Sequence, residues 1–164
     1  MAEDKGSIHV SIGEAVIAQG NAALETFGLG SCIALVLYDP NTSIGGLAHI
    51  MLPSDKGRIS NTHPYKYCNT AIPKLIEALL RKGAKRKSLN AKLIGGSKMF
   101  THLIPKEFMD IGLKNVQAVR KELMKYNIPI IAEDTGGTHG RSITFTLKDG
   151  NVKVSSYHRG IINL

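Results

Sequence analysis

Apolar and polar residues alternate over 7–12, which puts Ile8, Val10 and Ile12 on one side of a half-buried strand. A second short strand over 15–18 is stopped by Gln19-Gly20-Asn21, and residues 24–27 lead into the glycine turn Gly28-Leu29-Gly30. From Cys32 onward the chain is apolar without a break to Tyr38, the pattern of a strand covered on both faces. Asp39-Pro40-Asn41-Thr42 suits a type I turn, with Asp first and Pro second. Residues 44–52 return as the partner strand of a hairpin.

After a polar loop over 54–64, the apolar residues Ala71, Ile72, Leu75, Ile76, Leu79 and Leu80 recur at helical spacing. They predict a helix over 67–82 that Gly83 stops, with Pro73 in its first turn if Asn69 or Thr70 is the cap. A strand over 89–94 closes on Gly95-Gly96, and 98–106 fits no single pattern. A second helix over 113–126 turns Val116, Val119, Leu123 and Met124 inward. A strand over 128–133, a glycine-rich turn over 134–140 and a strand over 141–147 follow, then Asp149-Gly150 as a hairpin turn. Two helices among seven or eight strands predict an α+β fold with mixed or antiparallel sheets, and exclude a Rossmann layout.

The 164 residues suit a single domain over 1–164, with short flexible ends at 1–6 and 157–164. No apolar run nears the ~18 residues of a membrane span, and the first residues lack the basic and apolar regions of a signal peptide, so the expectation is a cytoplasmic protein with no membrane insertion. The net charge of +8 points to an acidic partner: RNA, a membrane surface or an acidic protein. Its densest basic run (Arg81, Lys82, Lys85, Arg86, Lys87) straddles the end of the first helix, where cations complement the helix dipole. No aromatic residue interleaves that run, so nucleic acid is not the expected partner. Two cysteines without a Cys-x-x-Cys pair give neither a disulfide scaffold nor a zinc site, and the histidines lack ligand spacing; no metal or cofactor is expected.

Candidate chemistry concentrates at Cys32 and His49. A hairpin centred between Pro40 and Asn41 sets the two directly opposite each other, side chains on one face; a register shift of two leaves them diagonal neighbours on that face. A thiol is mostly protonated at neutral pH, and an adjacent imidazolium stabilises the thiolate. Gly28 and Gly30 let the N–H groups of Gly30, Ser31 or Cys32 converge on a developing oxyanion. Thr26 is placed to accept a hydrogen bond from the far side of the imidazole and fix its tautomer. Spacing alone leaves open a core cysteine beside a satisfied histidine, in a non-enzymatic basic module that binds RNA or protein. It also leaves open a Cys–His hydrolase or transglutaminase with another acceptor. Cys68, at the start of a helix that can bury it, reads as structural.

The segment Thr26-Phe27-Gly28-Leu29-Gly30-Ser31-Cys32, followed by Ala48-His49-Ile50-Met51-Leu52-Pro53, resembles the CheD family of chemoreceptor glutamine deamidases. The likeness continues through Lys66-Tyr67, the block Gly95-Gly96-Ser97-Lys98-Met99-Phe100, and Ile111-Gly112 with Asn115. It ends in Glu133-Asp134-Thr135-Gly136-Gly137 and Gly140-Arg141-Ser142. It implies a Cys–His–Thr catalytic set, falling on Cys32, His49 and Thr26. It implies a layered sandwich of two mixed β-sheets flanked by helices, similar to the catalytic domains of cytotoxic necrotizing factors. The implied reaction turns receptor glutamines into glutamates and releases ammonia, and the implied partners are the cytoplasmic domains of chemotaxis receptors and the phosphatase CheC. Asn69, where the family usually has Asp, and Phe27, where an aliphatic residue is common, depart from the pattern.

Overall fold

The computed structural model describes residues 6–58, 62–99, 105 and 110–164. Most of the ambiguous stretch 98–106 lies outside them, as does part of the 54–64 loop. Ten strands form two five-stranded sheets. The first sheet has the order β1 (Ile8–His9), β3 (Ala23–Leu29), β8 (Arg141–Thr146), β9 (Val152–Ser156), β10 (Gly160–Asn163). The second runs β2 (Ala15–Gln19), β5 (Ile44–Ile50), β4 (Ile33–Asp39), β6 (Asn90–Gly95), β7 (Ile130–Thr135). Both sheets are mixed: β1 with β3 and β6 with β7 are parallel, the other neighbours antiparallel. The α+β sandwich of two mixed sheets is as expected.

The layering follows from period-two alternation in β4, whose seven residues are all buried. Ile33, Leu35 and Leu37 face α1 (Cys68–Lys82) and α2 (Ile111–Lys125), joining Leu75, Leu79, Val119 and Leu123 in one core. Ala34, Val36 and Tyr38 face the first sheet and join Leu24, Ile143, Phe145 and Val154 in the other. The second sheet is therefore sandwiched between the helices and the first sheet. Gly45 lets the sheets close up, since a Cβ there would lie 2.8 Å from the Phe145 ring.

Three expectations need correction. Residues 7–12 do not form one strand with an apolar side: only Ile8–His9 pairs, Val10 is buried, and Ile8 and Ile12 are exposed. Pro73 is not in the first turn of α1. Tyr67 is the cap, because Leu52 bridges to Tyr67 and its carbonyl takes the Cys68 N–H at 2.9 Å, which starts the helix earlier. Proline therefore sits in the second turn and deletes one helical hydrogen bond. Gly83 ends the helix as anticipated, in the left-handed conformation at φ 116°. Residues 160–163, read from the sequence as part of a flexible tail, form β10 against β9, and Leu164 and Val152 exchange backbone hydrogen bonds.

Candidate active site

The hairpin β4–β5 carries both candidate reacting groups, and its register differs by two from the simplest reading. Asp39 pairs with Ile44, Ala34 with His49 and Ile33 with Ile50. The expected turn is present, with the Thr42 N–H on Asp39 O at 3.4 Å, but Ser43 follows it in the left-handed region at φ 52°. That extra residue moves the hairpin centre. Cys32 is therefore not directly opposite His49; one residue ahead of β4, it is the diagonal neighbour of His49 on the face turned towards the first sheet. Asp39, fully buried, fixes the turn by accepting from the N–H groups of Asn41 at 2.9 Å and Lys85 at 2.8 Å. Burial pushes its carboxyl up, but these donors prevail and hold it below the usual range.

Thr26 reaches this face from β3 in the other sheet. Its Oγ1 lies 2.6 Å from Val10 O and 2.8 Å from His49 Nδ1, and both side chains are buried. A carbonyl can only accept, so the single hydroxyl proton goes to Val10 and the oxygen must accept from His49 Nδ1–H. His49 is thus held with Nε2 unprotonated, and that buried nitrogen has no hydrogen-bond partner. Beside it the β3–β8 pairing shifts between Thr26 and Leu29, where Gly28 takes φ 65° and Phe27 is turned out to solvent. A cleft of about 470 Å³ opens here, lined by His9, Val10, Ser11, Ile12, Thr26, Phe27 and His49. His9 stacks on Phe27 with ring centres 5.3 Å apart.

Burial lowers the His49 pKa to about 4, and the charge of His9 works in the same direction against the Val10 carbonyl. Burial also pushes the Cys32 thiol up, which its own backbone N–H only partly offsets. The resting pair is a neutral thiol and a neutral imidazole, so the preformed thiolate–imidazolium expected from adjacency is not the ground state. A neutral Nε2 on the same face as a neutral thiol suits a general base acting as the sulfur attacks. Cys68 is almost fully buried in the helix-facing core, its pKa pushed up to about 12 by burial and then by Glu122, consistent with a structural role.

The segment before β4 is gripped through its carbonyls. Gly30 O accepts from Ser97 N at 2.9 Å, Ser31 O from Asn115 Nδ2 at 2.8 Å, and Cys32 O from Gly96 N at 2.9 Å. No backbone carbonyl among the described residues accepts from the N–H of Gly30, Ser31 or Cys32. Gly95 makes the approach possible, because a Cβ there would sit 2.2 Å from Cys32 O. Behind it lies a polar knot: buried Arg141 donates to Ser97 Oγ at 2.7 Å and Gly136 O at 2.8 Å, and pairs with Asp134 at 2.9 Å. Periodicity could not find Asn115, Ser97, Asp134 or Arg141, because an apolar pattern carries no signal for buried and partly buried polar residues. Their only trace in the sequence is that they fall within the family-like blocks. The basic run ends up at the helix terminus as expected, Arg81 paired with Glu77 and Arg86 over the Tyr126 ring. No group of metal-ligating side chains occurs among the described residues.

Residues 51–156 match the family model described as CheD chemotactic sensory transduction. The chain belongs to the CheD family. A protein of Caldanaerobacter subterraneus is 42% identical over 94% of this chain and 95% of its own length. One from Clostridium novyi is 44% identical over 96% and 98%. Both are called probable chemoreceptor glutamine deamidase CheD. A Bacillus velezensis relative, 39% identical over 93% of each chain, is called chemoreceptor glutamine deamidase CheD. The CheD family model begins beyond Thr26, Cys32 and His49, but the similarity to each of these relatives runs through all three, since it leaves only about ten residues of this chain uncovered.

Proposed function

We propose that this chain is a protein-glutamine deamidase that converts glutamine side chains of chemotaxis receptors to glutamate, through a thioester on Cys32. Family membership supports the reaction and the receptor as substrate. The observation that carries the assignment to residues is the Thr26–His49 hydrogen bond, which leaves a bare, buried Nε2 on the face it shares with Cys32. In the first half-reaction His49 Nε2 takes the thiol proton as Sγ attacks the carboxamide carbon. The carbonyl oxygen becomes an oxyanion and lies against N–H groups of residues 30–32. Collapse breaks the C–N bond, and His49 returns the proton to the departing nitrogen, which leaves as ammonia. In the second half His49 takes a proton from water, hydroxide attacks the thioester, and the carbonyl–sulfur bond breaks as the imidazolium returns its proton to sulfur, giving the free thiol and a γ-carboxyl that ionises to glutamate. Thr26 keeps the imidazole in the one tautomer that can do both. On family resemblance alone, CheC is the proposed regulatory partner.

The test is ammonia release from a receptor cytoplasmic domain. Cys32→Ala is expected to abolish it, and His49→Ala to lower it by roughly 10²–10⁴-fold, the contribution of a positioned general base. Wild-type turnover by Cys32→Ala would end the assignment.

A further inference from the structure

We infer that Asn115 is a positioning residue for the reaction proposed above, aiming the Cys32 N–H at the oxyanion. Asn115 lies in the first turns of α2, is fully buried, and donates both hydrogens of its amide, one to Ser31 O at 2.8 Å and one to Met51 O at 3.0 Å. Facing two carbonyls, the amide can present only its nitrogen. Ser31 O belongs to the peptide whose N–H is that of Cys32, and in a planar trans peptide the two point in opposite directions. Holding that oxygen against α2 therefore turns the Cys32 N–H the other way, away from α2. The neighbouring carbonyls of Gly30 and Cys32 are held by backbone N–H groups, so the peptide leading into the nucleophile is the one whose orientation depends on a side chain.

Two further observations separate this role from simple packing. Strand pairing of β4 with β5 stops at Ile33 and Ile50, and Met51 N turns away to Lys66 O. Asn115 bridges the two chains just beyond, on the nucleophile side through Ser31 and on the histidine side through Met51. Its own Oδ1 is buried with no hydrogen-bond partner, a destabilising arrangement that a residue serving stability alone would not need. The anchor is rigid, because Gly112 in the same turn of α2 packs so closely on Gly96 and Ser97 that a Cβ there would meet Gly96 O at 2.5 Å.

The experiment compares Asn115→Ala and Asn115→Asp with wild type for receptor deamidation and for alkylation of Cys32 by iodoacetamide. Alkylation needs the thiol and its base but no oxyanion donor. Loss of one such donor lowers kcat by about 10²–10³-fold. The expected result is a fall of that size in both variants, with KM little changed and alkylation within a few-fold of wild type. Asn115→Asp should recover part of kcat as the pH is lowered, since a protonated carboxyl can again donate to Ser31 O. Wild-type kcat in either folded variant overturns the inference. So does a parallel loss of alkylation, which would mean that the site has collapsed, or failure of both variants to fold, which would make Asn115 a scaffold residue. Absence of deamidation by the wild type would instead remove the functional reading on which the inference rests.

Discussion

Thr26 has one hydroxyl proton and two partners, and that scarcity sets the state of His49. Since Val10 O takes the proton, the imidazole must donate from Nδ1, and Nε2 is left unprotonated. Thr26→Val keeps the shape and removes the switch. It strands Val10 O and His49 Nδ1–H in a buried place, which costs about 1–3 kcal/mol of stability. It should lower kcat by about ten-fold, less than the roughly 10²–10⁴-fold worth of the base itself, with KM nearly unchanged. Unfolding curves and steady-state kinetics on the same preparation check both halves. The placement of these residues was legible in the sequence: the hairpin spacing put Cys32 and His49 on one face, and Thr26 was set beside the imidazole. Their charge state was not, because it depends on burial from two sheets, and burial outweighs the proximity that suggested an ion pair.

Strands and turns were legible where one residue type dictates the geometry, as with Gly83 ending α1 or the unbroken apolar run of β4. They were misread where a distant partner decides. Ser43 in the left-handed region shifts the hairpin register, and the Leu52 carbonyl starts α1 before the cap residues that the sequence suggested. The end of β6 shows the same dependence. The sequence shows Gly95 only as the close of a strand; it is the point where backbone must touch backbone, against Cys32 O. Gly95→Ala should therefore do more than the ~1–3 kcal/mol that its positive φ of 116° alone would cost. It should displace the nucleophile segment, so that kcat falls even in the folded fraction. Gly20→Ala, also at positive φ but with open space around it, should cost stability and leave kcat unchanged. Equal kinetics for the two variants would show that the close approach has no bearing on the site.

Across the whole molecule the site is a property of the sandwich, since Cys32 and His49, the proposed nucleophile and base, come from the β4–β5 side and the Thr26 hydroxyl from the other sheet. That arrangement makes folding stability depend on pH through His49. Its folded pKa of about 4 lies below the 6.5 of a free imidazole, so between those values the unfolded chain binds a proton that the folded chain refuses. The His49 contribution to stability should fall by about 3 kcal/mol as pH drops from 6.5 towards 4, and His49→Gln should make that stretch shallower in urea titrations, leaving the smaller part from His139, whose pKa burial also lowers. Asp39 and Asp134, both held below the usual carboxylate range, add losses only at lower pH, as they protonate. The central claim is that Cys32 turns receptor glutamine into glutamate. It is tested most directly by mass spectrometry of a receptor cytoplasmic domain incubated with wild type or with Cys32→Ala. The expected result is the glutamine-to-glutamate mass shift at discrete sites with wild type and none with the variant. An unmodified receptor in both incubations, or the same shift in both, would contradict it.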